Sequence, residues 1–279
     1  MLGGCGTYVP EIQENPWASD PDRLVVAIVG SIHCELRNAV TYVINSDRWR
    51  CWKRGLPLAA NWLNDWGTQV TITLTTDEQS SFNPSGSYIS ILHPMTSIFT
   101  LLGGASVSSE ATRIETLNYY YTVKELYDAG KGKPCSSTTV ANFADHPPGS
   151  LLIQSDLKLE EWLSAVVQSQ AVGDISITNP PPTSNQTAKN ALSHEVKFVI
   201  VTNGSITPMW KLVHATINQT GSLFTASRTR THDLSLTFGP NVKAPDGSNS
   251  LGLGTPATNA NLAQQIGISN SVHMSTSLP

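Results

Sequence analysis

Three places in the sequence set groups capable of proton transfer or anion binding side by side. His232 and Asp233 follow Arg228 and Arg230, and two-residue alternation puts Arg228, Arg230 and His232 on one strand face. Two guanidinium groups in a row with an imidazole suit an anion or an acidic partner. The same row also suits a solvated sheet face with cross-strand partners such as Glu110 or Glu115. Asp145-His146 stands in a Pro-rich stretch and His194-Glu195 opens a strand-like run; either could form half of an acid–base pair. Nucleophilic catalysis by Ser, His and Asp is defined by geometry, which sequence separation does not supply. The chain contains no Gly-x-Ser-x-Gly, His-Glu-x-x-His or phosphate-cradling glycine loop, and its cysteines lack zinc-ligand spacing. The expectation is a protein that is not an enzyme, with no metal and no cofactor.

Arg48-Trp49-Arg50-Cys51-Trp52-Lys53-Arg54 is the one basic cluster, interleaved with indoles. Such a mixture can contact phosphate or lipid head groups through charge and cation–π attraction. It equally fits a turn between helices with packed tryptophans and solvated cations.

The N-terminus carries a sharper short signal. Leu2-Gly3-Gly4-Cys5 resembles the lipobox of bacterial lipoproteins, where a Leu and small residues precede a Cys that becomes lipidated. The resemblance covers four residues and implies lipidation at Cys5. Gly6 after the Cys, in place of Asp, resembles the outer-membrane sorting pattern of that class. The basic and apolar regions of such a signal do not precede it here, as if the sequence begins inside the signal. With Cys5 lipidated, Cys34, Cys51 and Cys135 remain, an odd number that cannot all pair. A Cys51–Cys135 disulfide is expected, since both lie in loop-like sequence while Cys34 sits in an apolar helical pattern.

Composition narrows the class. The 279 residues can bury a sizeable core, only 14% are charged, and the net charge is −4. A nucleic-acid partner is not expected, because that surface needs clustered Lys and Arg. No uninterrupted apolar run reaches the roughly 18–20 residues of a membrane-spanning helix.

The elements that position these groups follow from periodicity. Ser19 to Asp22 form a helix start, and Leu24, Ile28, Ile32, Leu36, Ala39 and Val43 predict an amphipathic helix over 21–46. Residues 57–66 read as a short second helix. Val70, Ile72 and Leu74 alternate with Thr71, Thr73 and Thr75, which predicts a strand over 68–76. Residues 77–93 read as a polar loop around Asn83-Pro84-Ser85-Gly86. From Phe99 to Val123 the odd positions are mostly apolar or small and the even ones polar, an antiparallel strand pair with one wet face. Residues 128–150 read as loop, Leu151-Leu152-Ile153 as a strand, and Ser155 to Ala171 as a helix.

Pro94 to Tyr121 is similar to Pro208 to Phe238. Each opens on Pro-Met, contains a Thr-Arg pair (Thr112-Arg113, Thr229-Arg230) and is preceded by a strand-like run, VTITLTT or VKFVIVT. The predicted fold is α+β and mainly antiparallel β. It has two similar three-strand units, an N-terminal amphipathic helix, and a helix between the copies. The expected organisation is a lipid-anchor tether (1–19), helices with the first β unit (20–178) and a linker (179–190). The second β unit (191–240) packs with the first, and a flexible tail (241–279) has one short helix near Ala260 to Ile266.

The expected function is a non-catalytic envelope lipoprotein with a structural or assembly role, in the outer membrane or periplasm of a Gram-negative bacterium. Its expected partners are a membrane, through the lipid anchor, and copies of itself or other envelope proteins. Two alternatives stand beside it: a periplasmic ligand-binding module, and a subunit of an oligomeric outer-membrane β-barrel pore. Long Thr/Ser-alternating strands with aromatic ends resemble those a ring of subunits contributes to such a barrel. The pore reading places a condition on Glu110, Arg113 and Glu115: they must lie outside the bilayer or at its interface.

Overall fold

Two long hairpins and a set of helices make up the chain. The computed structural model describes residues 22–92, 97–131, 135, 151–177, 190–211, 215–218, 221–243 and 250–276. The tether with Cys5, the Asp145-His146 pair and nearly all of the 179–190 linker lie outside these residues. The described chain is α+β with mainly antiparallel sheets.

Helix α1 spans Asp22–Arg54, eight residues past the predicted end. Leu24, Ala27, Ile28, Ile32, Leu36, Ala39, Val40, Val43 and Ile44 are buried along one face. By length and mean hydropathy α1 meets the minimum for crossing a membrane, although no apolar run is that long; 44% of its most apolar window is buried. Helices α2 (Val123–Gly130), α3 (Leu151–Gln154) and α4 (Leu159–Val172) pack against it. Thr122 and Glu125 form a reciprocal capping box at the start of α2. Gly173, at φ 86°, ends α4 in the left-handed region. Leu151 to Ile153 is helical rather than a strand. Residues 57–66 reduce to a 3-10 turn, Asn61–Asp65, which runs into the first strand.

Strands β1 (Trp66–Phe82), β4 (Val107–Thr122), β5 (Leu192–Ile206) and β8 (Phe224–Lys243) form a sheet in the order β4-β1-β8-β5. Strand β9 (Ser250–Leu253) adds to β8. Four shorter strands, β2 (Ser85–Leu92), β3 (Ser97–Gly104), β6 (Trp210–Lys211) and β7 (Ala215–Ile217), form a second sheet in the order β3-β2-β7-β6. The orders match strand for strand. Strand β1 leads into β2, β3 into β4, β5 into β6 and β7 into β8, so each hairpin contributes two neighbours to each sheet.

Two expectations are corrected here. The stretch 77–92 is strand apart from a short break at Asn83-Pro84. The strand that ends at Gly104 pairs with β2, not with β4. Register explains both. Ser85 faces Gly104 and Leu92 faces Ser97, and the same register extends down the long strands, where Thr112 donates to Asp77 and Thr71 to Asn118. At the break itself the Ala105 N–H donates to the Pro84 carbonyl. The turn-forming residues interrupt the ribbon without reversing it.

The proposed sequence repeat is not confirmed, although Thr112-Arg113 and Thr229-Arg230 both lie on the returning long strand of a hairpin, β4 and β8. Pro208-Met209 precedes β6, on the rising side of the second hairpin, whereas Pro94-Met95 lies outside the described residues. What recurs is the order long strand, short strand, short strand, long strand. The second hairpin also departs from the first in register. Ser81 lies beside Thr225 and Gly86 faces Ile217, so five residues along one chain match eight along the other. The three extra residues fall between β7 and β8, where Asn218 (φ 62°) and Gly221 (φ 84°) take left-handed backbone.

The short helix expected near Ala260 to Ile266 lies within a longer one, α5, over Thr255–Thr276. Its contacts with the sheet are mostly polar. The Gln264 carbonyl accepts from Ser235 Oγ (2.6 Å) and Thr237 Oγ1 (3.1 Å), and the Asn261 amide donates to Thr71 Oγ1 (3.3 Å). Gln265 donates to Asn118 Oδ1 (3.3 Å) and Asn261 Oδ1 (2.6 Å). The helix comes so close at Gly239 that any Cβ there would collide with Ala257.

By contact the chain divides into two units. One gathers Leu74–Glu115 and Val199–Thr231, the other the helices and the remaining strand segments, and the four long strands run through both. The helical unit holds the core: Trp66, Val70, Ile72, Leu234, Leu236 and Phe238 are buried there with the apolar face of α1.

Candidate functional site

The unit formed by Leu74–Glu115 and Val199–Thr231 is almost all sheet, and its sequence changes character along the hairpins. Where it contains long strands, charge is frequent. Arg228 pairs with Glu78 at 3.1 Å, Arg113 pairs with Glu115, and Thr112 donates to Asp77. On the face of β1 that carries Asp77, opposite to Glu78 and Arg228, Gln79 and Ser81 join Asn203, Ser205, Thr225 and Ser227 to line a shallow cleft of hydroxyl and amide groups. Both faces of this part are suited to water.

The short-strand part is different. Residues 85–104 contain no Asp, Glu, Lys or Arg, and residues 207–223 contain only Lys211. Directly opposed residues in an antiparallel sheet share a face. Tyr88 opposes Leu101 on one side and Ala215 on the other, Ser90 opposes Phe99, and Gly86 opposes Ile217. These residues give one face that is nearly all apolar. Tyr88, Phe99, Leu101 and Ile217 are 49%, 48%, 58% and 45% exposed. The reverse face carries a row of hydroxyls, Ser87, Thr100 and Thr216, with exposed Ile89 and Leu102 among them. Eight residues per strand in β2 and β3 give a span of about 26 Å at the usual strand rise.

The residues singled out from sequence divide into several groups. Arg228, Arg230 and His232 do share a face of β8, but they do not form an open ridge. Arg230 and His232 are 5% and 2% exposed, and Arg228 is engaged by Glu78 rather than by Glu110 or Glu115. Beside them Asp233 is 1% exposed, and its nearest cation, Lys197 Nζ, is 4.0 Å away. Burial, aided by the Glu195 carboxylate, pushes the Asp233 pKa up to about 6. His194 lies near the Leu157 carbonyl (3.1 Å) and packs against Trp162, a structural position.

The basic-aromatic cluster, Arg48, Trp49, Arg50, Trp52, Lys53 and Arg54, lies in the last turns of α1 rather than in a loop. Cations there complement the negative end of the helix dipole. Arg50 is held by buried Asp47 at 2.5 Å, Arg48 by the Tyr127 hydroxyl at 2.5 Å, and Lys53 sits 4.5 Å over the Trp49 ring. Trp52 is the most exposed aromatic among the described residues.

The disulfide expectation is corrected. Cys34 bonds Cys135, with Cα atoms 5.3 Å apart, and Cys51 is free. Asn38, one turn beyond Cys34, fixes the partner backbone. Its amide donates to the Cys135 carbonyl (3.1 Å) and its carbonyl accepts from the Cys135 N–H (3.0 Å). The sequence marks Cys34 as helical but does not show which side of the helix receives residue 135. Glu35, next to it, is half-buried; burial and the nearby Asp156 and Glu161 carboxylates push its pKa up to about 7.

Among the described residues, no three His, Cys, Asp or Glu side chains gather as metal ligands do. No family model matches the chain, and no curated protein matches it either. The reading of the site therefore rests on its geometry.

Proposed function

We propose that the protein is a subunit of an oligomeric β-barrel pore in a bacterial outer membrane, held there also by lipid on Cys5. One observation carries this reading. In the short-strand sheet an exposed apolar face is carried mainly by β2 and β3, whose span of about 26 Å is close to the ~25 Å apolar band of outer-membrane barrels, while β6 and β7 add two and three residues beside them. The charge condition is compatible with it. Glu110, Arg113 and Glu115 belong to β4, outside the short-strand sheet.

Four strands cannot close a barrel, since the smallest membrane barrels have about eight. At least two copies must contribute, and the polar long-strand segments would then form a wetted wall continuous with the channel. A structural envelope lipoprotein without a channel is the competing reading. Solute flux from vesicles containing the detergent-extracted oligomer decides between them. A discrete oligomer that conducts supports the pore; an extracted oligomer that leaves vesicles sealed, or a water-soluble monomer, removes it.

A further inference from the structure

We infer that copies of this chain join through the two free edges of the ribbon, β4 of one copy pairing with β5 of the next. The inference rests on the pore reading above and adds which strands meet and in what direction.

Among the described residues β4 and β5 each have one strand neighbour, β1 and β8 respectively, and so end the sheet. They are long edges of nearly equal length, 16 and 15 residues. Exposed edges of that length are normally blunted with Pro, Lys, bulges or a covering element. Strand β4 contains no Pro, Lys or Gly, and β5 contains one Lys and no Pro. Side chains at alternate positions, including Glu110, Thr112, Ile114 and Val199, are exposed. Charge on these edges is confined to Glu110, Arg113 and Glu115 on β4 and to Glu195 and Lys197 on β5, and the parts of both strands next to the short-strand sheet, 107–109 and 198–206, carry none, which leaves them open to another strand.

Direction narrows the choice. In the order β4-β1-β8-β5, β4 returns from the tip of the first hairpin and β5 rises toward the tip of the second. Placing β5 of a second copy against β4 therefore keeps every neighbour antiparallel. It also sets the neighbour's β6 against β3, so the short-strand sheet continues across the same seam. Pairing β4 with β4 would give a two-fold dimer that leaves both β5 edges open. The β4–β5 contact uses different surfaces on the two copies, and repeated head to tail it closes a ring when the rotation per copy divides a full turn, as the barrel requires.

The test uses full-length protein in a Cys51→Ser background, extracted in detergent and oxidised. Single cysteines at Glu110, Thr112 or Ile114 on β4 are combined in the same chain with one at Val199, Val201 or Asn203 on β5. The expected result is a covalent ladder of oligomers for particular pairs. Bonding positions must move up β5 as they move down β4, so that a bond from Thr112→Cys to Val201→Cys predicts one from Ile114→Cys to Val199→Cys. Six exposed sites guard against loss of any one variant to misfolding, and native mass confirms assembly. An assembled oligomer that cross-links only β4 to β4, only β5 to β5, or at none of these pairs overturns the seam. The same preparations are assayed for vesicle flux. Ladders without flux keep the seam and remove the pore; flux without ladders keeps the pore and removes the seam.

Discussion

The two sheets are built from the same two hairpins, yet they differ in what covers them. Much of the long-strand sheet has a cover on each side. Leu234, Leu236 and Phe238 are buried in the helical core, and Ser235 and Thr237 bond to α5. The short-strand sheet presents Tyr88, Phe99, Leu101 and Ile217 with no helix described over them. Burial of apolar surface is the main stabilising term in folding. The first sheet obtains it within the chain; in the pore reading the second obtains it from lipid and other copies. The same connectivity thus serves a self-sufficient body and a dependent tip.

The sharpest way to break this comparison is a charge on the bare apolar face. Leu101→Arg is expected to abolish vesicle insertion, since an arginine facing lipid near the midplane costs about 2–4 kcal/mol in every copy. The thermal midpoint of the detergent-free body should stay where it is. Thr100→Arg, on the reverse face, should insert and shift ion selectivity toward anions in reversal-potential measurements. Equal insertion of both variants would mean that the two faces are not distinguished by lipid.

A smaller effect sharpens the other half of the comparison. Gln264→Ala leaves the hydroxyls of Ser235 and Thr237 without their shared acceptor, which should cost about 1–3 kcal/mol in chemical denaturation. Insertion competence of the tip should be unaffected. A Gln264→Ala protein as stable as the parent would show that α5 contributes little to the body.

The smallest expected effect is a pH dependence of the body. Burial raises the native pKa of Glu35 to about 7 from an ordinary value of 4.5, so the folded chain retains a proton that the unfolded chain has lost in that interval. Its contribution therefore falls as pH rises from about 4.5 to 7. Glu35→Gln removes this dependence. The variant should gain on the parent in thermal midpoint between pH 5 and pH 8, and a constant difference across that range would contradict the assignment.

Sequence alone carried the strand pattern well and the pairing poorly. Val70, Ile72 and Leu74 alternate with threonines because one face meets the helical core, and that period is local information. Asn83-Pro84-Ser85-Gly86 has the composition of a reversal, but the chain continues through it, since the partner strand has a matching break at Ala105-Ser106. Which strands meet is decided by contacts far apart in sequence, and no local pattern records it. The full length of helix α5, beyond the short stretch expected near Ala260 to Ile266, was hidden for another reason. Asn261, Gln264 and Gln265 face threonine and serine, so its packing face has no hydrophobic period to detect. The site divides the same way. The alternation that placed Arg228, Arg230 and His232 on one face was readable; the burial that removes Arg230 and His232 from solvent was not.

The Cys34–Cys135 bond gives the two hairpins different covalent standing. Its ends are 101 residues apart and enclose the whole of β1 through β4, while β5 through β8 lie outside the loop. Loop closure of that size removes denatured-state entropy worth on the order of 4–5 kcal/mol. The first hairpin is thus a lasso fastened to α1, and the second is an open arm. Such a bond forms and persists in an oxidising compartment. A chain that reaches a reducing one loses the fastening of the first arm only, and the two arms then stand alike.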